Sequence, residues 1–301
     1  MCRLISMLLS ATLLFSAGCI GHAAAVPETQ AADPVEAAAP QQPQKDTDTT
    51  ETAETSPVPP AEPEEPYVRV IDPAKPMVAL TFDDGPHETY SNQILDALEA
   101  NHAVATFFEV GRNVALYPAV VVREAELGCE IGSHSYVHKN LSKLKKATLL
   151  EDLAAADAAF LAAGVPAPTL VRPPYGAVNK TVRTATGRSL ITWNIDTEDW
   201  RTKDPQTVIS YVQGLENLDG AVVLMHSIHE SSAQAAAVLI PWLQEQGYQL
   251  VTVTELMAYY YGELPQPDTL YGYTYFSGSR TDTPLTLPDP VVVGEEAAPA
   301  A

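Results

Sequence analysis

A chain of 301 residues with only three cysteines has length enough for a sizeable core, and it has no disulfide framework to stand in for one. Its net charge of −21 is unevenly spread: Arg3 adds +1, residues 27–66 carry −9, residues 262–301 carry −5, and residues 67–261 between the last two carry −8. A mildly acidic domain between two acidic flanks argues against nucleic acid or an anionic membrane surface as partner, and fits a neutral or amine-bearing substrate.

At the N-terminus, Arg3 precedes the apolar run Leu4–Phe15, too short to persist as a spanning helix, so residues 1–25 read as an export signal. Ser16-Ala17-Gly18-Cys19 is similar to a bacterial lipobox, with Ser16 where leucine is usual. This predicts lipidation of Cys19 and a cell-membrane lipoprotein facing the wall; cleavage after Ala23-Ala24-Ala25, giving a secreted protein, is the alternative. Residues 26–66 hold nine prolines and ten acidic residues against the single Lys45, the composition of an extended, disordered linker.

Residues 67–261 form the predicted domain. Strand candidates are Val78–Phe82, Val104–Val110, Glu130–Ser133, Thr169–Val171, Ser189–Ile195, Ala221–Met225 and Gln249–Val253, with helical patterns between them. Thr148-Leu149-Leu150-Glu151 reads as a capping box before an alanine-rich helix that Gly164 stops, and Asp204-Pro205 as an N-cap followed by proline at the first helical position. Seven such units with short connections mean a parallel sheet covered by helices, doubly wound or closed. Cys129, between Leu127-Gly128 and Glu130-Ile131, reads as a buried structural thiol. The tail 262–301 is expected to be disordered, with the cluster from Tyr271 to Phe276 as the one part able to pack back.

The chemistry lies at the C-terminal ends of the apolar runs. The first ends in Thr81-Phe82-Asp83-Asp84-Gly85-Pro86; adjacent carboxylates face opposite sides of a strand, and reach one site only if the chain turns, which Gly85-Pro86 allows. The third is followed by His134-Ser135-Tyr136-Val137-His138, whose spacing puts both imidazoles on one side of a helical turn. With Asp84 they make a three-ligand set for a divalent metal that leaves positions for water and substrate, the arrangement of a catalytic zinc. Arg172 ends the fourth run, Asp196 the fifth and His226 the sixth. An open sheet would string these residues along a line, whereas a closed barrel gathers them around one mouth.

Five segments in this order, around Asp83-Asp84, His134 to His138, Arg172-Pro173-Pro174-Tyr175-Gly176, Asn194 to Trp200 and Leu224-Met225-His226, resemble the five signature motifs of the polysaccharide deacetylase family (carbohydrate esterase family 4, NodB-like), over roughly Val78 to Met257. The resemblance implies a distorted (β/α)7 barrel and metal-dependent removal of N-acetyl groups from a polysaccharide containing N-acetylglucosamine, most directly peptidoglycan. Chitooligosaccharide or biofilm-polymer deacetylation and O-acetyl xylan hydrolysis are the alternatives. It further implies Asp84, His134 and His138 as ligands of a divalent metal, expected to be zinc, with Asp83 as general base and Arg172 as the cation that aims it. The backbone N–H of Tyr175 becomes an oxyanion donor, His226 the general acid with Asp196 as the carboxylate that raises its pKa, and Leu224 with Trp200 the pocket for the acetyl methyl. His87, His102 and His229 fall outside the motifs and read as surface or packing residues.

Overall fold

The structure, a computed structural model, describes residues 69–285 and Leu287. The export signal, Cys19, the whole acidic linker and the end of the tail therefore lie outside the described residues. No helix among the described residues is long and apolar enough to cross a membrane.

Strand β1 (Met77–Asp83) sets the plan, with all seven residues buried. Val78, Leu80 and Phe82 pack outward beneath helices, while Met77 and Ala79 pack inward, as in a strand covered on both faces. Thr81 and Asp83 continue the inward row, so the strand's last residue delivers a carboxylate to the barrel interior. The other strands are β2 (Thr106–Glu109), β3 (Glu130–Ser133), β4 (Leu170–Val171), β5 (Ser189–Ile191), β6 (Ile195–Asp196), β7 (Ala221–His226), β8 (Gln249–Leu250) and β9 (Leu270–Tyr271). They run parallel in the order β6-β7-β1-β2-β3-β4-β5-β9. β8 and β2 divide one edge of β1: β8 pairs with Met77 and Val78, β2 with Thr81 to Asp83.

The two ends of that order meet within the chain, because only Thr192, Trp193 and Asn194 separate β5 from β6. The Thr192 N–H donates to Tyr271 O of β9 at 2.8 Å, and the Asn194 N–H donates to Val222 O of β7 at 3.2 Å. The Asn194 side chain accepts from the Val222 N–H at 2.8 Å and donates to Phe276 O at 2.7 Å. These residues stitch one end of the sheet to the other and curl it into the distorted (β/α)7 barrel. The predicted single strand Ser189–Ile195 is thereby corrected to two, since the chain leaves one set of partners and joins another.

Helices α1 (Tyr90–Ala100), α2 (Gly111–Leu116), α3 (Pro118–Glu126), α4 (Lys146–Ala162), α5 (Lys180–Ala185), α6 (Asp199–Thr202), α7 (Pro205–Gln213), α8 (Glu230–Glu245), α9 (Val253–Leu256) and α10 (Tyr273–Phe276) complete the fold. Asp204 caps α7 by accepting the Thr207 N–H, with Pro205 at the first helical position as predicted. The predicted capping box at Thr148 does not form: Lys146 and Ala147, both good helix formers, extend α4 backward, and Lys145 is the N-cap. Cys129 is buried, which pushes its thiol pKa up to about 12, as suits a structural role.

The tail boundary also moves. β9 pairs with β5 and covers what would otherwise be an open sheet edge. Tyr271 and Phe276 are only 3% and 2% exposed. Arg280 lies over the Tyr260 ring at 4.6 Å and pairs with Asp219 at 2.7 Å. Residues 262–285 are part of the domain, because the aromatic cluster buries more surface than the polar composition around it suggested.

Candidate active site

All the strand ends named above converge on one mouth. Asp83 is in register with His226 on β7 on one side and with Phe108 on β2 on the other. Ser133, just before His134, is in register with Glu109 and with Val171, just before Arg172.

Asp84 turns away from β1 with φ +73°, so the reversal that lets the two carboxylates converge occurs at Asp84 itself, one residue before Gly85-Pro86. The histidines are likewise brought together by a loop and not by a helical turn, with Ser135 at φ +68° and His138 at φ +56°. Left-handed backbone costs a non-glycine residue about 1 kcal/mol or more, and its concentration here marks a site held against local preference. The His134 Nδ1–H donates to the Arg172 carbonyl at 2.6 Å, which leaves its Nε2 as a lone pair. That lone pair faces Asp84 Oδ1 at 3.4 Å, and His138 Nε2 faces the same oxygen at 3.1 Å.

Asp84 Oδ1 is shielded from solvent and has no hydrogen-bond donor among the described residues. A carboxylate oxygen and an imidazole lone pair repel each other at this separation unless a cation lies between them. Ligand atoms on a tetrahedral zinc, at roughly 2.0–2.2 Å from the ion, stand about 3.3 Å apart, so the three side chains fit a divalent metal. Burial by itself would raise the Asp84 pKa, but a proton on His138, whose place a divalent ion would take, outweighs it and holds the carboxyl at about 2. Burial holds the His134 imidazole below its ordinary value against the pull of Asp83 and Asp84, so it is neutral, as a ligand must be.

Asp83 is held from below. Arg172, fully buried, donates to Asp83 Oδ1 at 2.8 Å and to Thr81 Oγ1 at 2.7 Å. Its guanidinium lies over the Phe108 ring at 4.0 Å and donates to Thr192 O at 3.1 Å. An arginine so enclosed has one available orientation, and Asp83 inherits it.

The carboxylate on His226 is Asp199, which corrects the assignment to Asp196. Asp199 Oδ1 is 2.8 Å from His226 Nδ1, and Oδ2 accepts the His226 backbone N–H at 2.8 Å and the Ser232 hydroxyl at 2.5 Å. Asp196 instead accepts the Glu198 N–H at 2.9 Å and starts the turn. Glu198, with φ +52°, then swings Asp199 back under His226. Burial would lower the His226 pKa, but Asp199 prevails and raises it to about 9. Asp199 itself is held low, the His226 contacts and Ser232 outweighing its burial.

The remaining motif residues lie at the rim. Tyr175, at φ +63° and 68% exposed, sets its ring edge-on to His138 with centroids 4.8 Å apart. Leu224 is buried two residues before His226 and shares its inward face. Trp200, next to Asp199, is 47% exposed.

Residues 71–190 match the family model described as polysaccharide deacetylase. A peptidoglycan-N-acetylglucosamine deacetylase of Bacillus cereus is 35% identical over 61% of this chain and 89% of its own. The chain belongs to the polysaccharide deacetylase family. It is also 39% identical to the peptidoglycan-N-acetylmuramic acid deacetylase PdaC of Bacillus subtilis, over 62% of this chain and 40% of that protein. The chain thus spans about two fifths of that relative's length. A solved structure described as T48 deacetylase with substrate superposes with a TM-score of 0.62 at 41% identity, covering 67% of this chain and all of that one.

The motifs of this family omit the segment that joins the two ligand loops. After β2, the Val110 N–H donates to Gly85 O and the His134 N–H to Glu109 O, both at 2.8 Å; the Gly111 N–H donates to Ser135 O at 2.9 Å. Asn113 donates its side-chain amide to the Asp84 carbonyl at 2.8 Å, supporting the left-handed residue. Glu109 faces away from the barrel interior toward Glu124 on α3, and both are fully buried. None of their four carboxyl oxygens has a donor among the described residues, so the pair must hold a proton of its own. Burial first, then the mutual interaction, pushes Glu109 well up; burial raises Glu124 to about 8. A Cβ on Gly85 would lie 2.8 Å from Glu109 Oε2, so this pair packs directly under the Asp84 loop. Glu109 was detectable in sequence, since it too is a carboxylate ending an apolar run, Phe107-Phe108.

Proposed function

We propose that this chain is a metal-dependent polysaccharide N-deacetylase that releases acetate from a polymer containing N-acetylglucosamine, most directly peptidoglycan. The observation that carries this reading is the register of Asp83 with His226 on adjacent strands, beside the three-ligand set of Asp84, His134 and His138. A divalent ion held there, zinc in this reading, supplies a Lewis acid that polarises the acetyl carbonyl and lowers the pKa of water. Asp83, aimed by Arg172, takes a proton from water as its oxygen bonds to the acetyl carbon. His226, whose Nδ1 is engaged by Asp199, gives its Nε2 proton to the nitrogen as the C–N bond breaks. Water is consumed, acetate and a free amine remain, and both groups regain their starting states by exchange with solvent. The Tyr175 backbone N–H faces the developing oxyanion, and Leu224 with Trp200 receives the methyl.

The relatives named for peptidoglycan support the substrate class, and an export signal with lipidation at Cys19 would tether the enzyme near the wall, the lipid being its only hold on the membrane. Acetate release by the purified chain from peptidoglycan, chitooligosaccharides, β-1,6-linked N-acetylglucosamine oligomers and acetyl-xylan tests the reading; release from acetyl-xylan alone would overturn it. Activity should vanish with a chelator and return with zinc. Cys19→Ser should release the protein from the membrane fraction, and a wild-type protein found free in the medium would refute the tether.

A further inference from the structure

Next to the acid is a cavity that none of the roles above uses. It is a depression open to solvent, with a volume of about 390 Å³. Two of its walls are tied to the His226–Asp199 pair. His229 has its ring centroid 6.3 Å from that of His226, and Lys203, at φ +49°, donates its N–H to Asp199 O at 3.0 Å. Tyr90, stacked on His87 at 4.4 Å and 16°, offers an aromatic surface on a third side.

We propose that this cavity receives the sugar adjoining the one deacetylated, and that Lys203 binds a carboxylate carried there by a 3-O-lactyl hexosamine or its attached peptide. The inference rests on the deacetylase reading. Because Asp199 occupies Nδ1 of His226, only Nε2 can reach the leaving nitrogen, which fixes the reacting sugar against His226. The next ring of a linked polymer must then lie beside His226, and His229 on the cavity wall has its ring 6.3 Å from that of His226. Its chemistry selects an acid. Lys203 has no carboxylate within ion-pair distance among the described residues. Burial and then the Lys203 charge hold the His229 pKa below its ordinary value, so Lys203 is the cation of this cavity. Glu230 also lines it, accepts from Gln234 at 3.1 Å, and restricts an incoming anion to the Lys203 side. In a domain whose residues 67–261 carry a net −8, an unpaired lysine beside the acid is where an anionic neighbour is tolerated.

The test compares acetate release from chitotetraose, from alternating glucosaminyl–muramyl oligomers with free lactyl carboxylates, and from the same oligomers bearing peptides. Lys203 is exposed, so substitution there leaves the fold intact. Lys203→Ala should raise KM on a muramyl substrate about tenfold with kcat within about twofold, leave chitotetraose unchanged, and be rescued by Lys203→Arg. A rise confined to the free-lactyl oligomers assigns the carboxylate to the lactyl group; a rise confined to the peptide-bearing ones assigns it to the peptide. Parallel KM changes on chitotetraose and muramyl oligomers, or no change on either, would overturn the subsite while leaving the deacetylase intact. No acetate from any of these N-acetyl substrates with wild-type protein would overturn both.

Discussion

Asp83 and Asp84 at the barrel mouth and Glu109 and Glu124 beneath it are separated by little more than the Gly85 backbone, yet they are held in opposite ways. At the mouth, Arg172 and two imidazoles face the carboxylates, and Asp84 is held at about 2 although most of it is buried. Beneath, no cation or hydrogen-bond donor reaches the second pair among the described residues, and Glu124 rises to about 8. Burial pushes every carboxyl upward, and what decides the outcome is whether a cation is buried with it. The upper pair is thereby ready to meet a metal ion and water, while the lower pair is a nearly neutral support under the loop that carries them.

The largest effect should come from the upper pair. Asp83→Asn should lower kcat on an N-acetyl oligosaccharide roughly 10³-fold with bound metal retained, whereas Asp84→Asn should lose the metal as well. Elemental analysis beside an acetate assay separates the two, and equal metal loss would mean that the roles are misassigned. Next is the acid: His226→Ala should cost roughly 10²-fold or more on an amide and far less on an aryl acetate, whose leaving group needs no proton. Equal losses on both substrates would remove His226 as acid.

A third carboxylate extends the comparison, because Asp199 is buried like Glu124 but has a histidine beside it. His226 acts while protonated, and with its pKa raised to about 9 the activity should persist through neutral pH and fall above about pH 9. Asp199→Asn removes the group that raises it, so the alkaline limb of the kcat profile should move to lower pH, while Asp196→Asn leaves it in place. A limb that moves with Asp196 and not with Asp199 would make Asp196 the carboxylate that acts on His226.

The smallest effect concerns the lower pair and is one of stability. A buried Glu124 with its pKa raised from 4.5 to about 8 binds a proton in the folded state that the unfolded chain has released, so stability falls as pH rises between those values. Glu124→Gln, which keeps the shape and needs no proton, should gain on wild type by up to about 1.4 kcal/mol per pH unit across that window. Denaturant unfolding at pH 5 and pH 8 measures it, and a difference independent of pH would show that the pair is not proton-bearing.

What the sequence determined by itself was the family and the run ends on which its chemistry-bearing side chains sit. Alternation along β1 makes Asp83 an inward residue, and a carboxylate or imidazole closing an apolar run has little reason to be there without a cation or a proton to handle. Such features are local, so Asp84, His134, His138, Arg172 and His226 were legible one run at a time. Closure of the barrel was legible only indirectly, from the need to gather those run ends.

Tertiary structure decided whatever depends on partners distant in the chain. Asp196 and Asp199 are equivalent in a motif, and only the left-handed turn at Glu198 sends the second one under His226. The division of Ser189–Ile195 into two strands follows from hydrogen bonds to Tyr271 and Val222, neither of them a sequence neighbour. A tail of polar composition became part of the domain because Tyr271 and Phe276 found an unpaired sheet edge to cover. Glu124 looks like an ordinary surface acid until α3 buries it against Glu109 at the end of β2. Burial and pairing are collective properties of elements brought together by folding, and no window of sequence contains them.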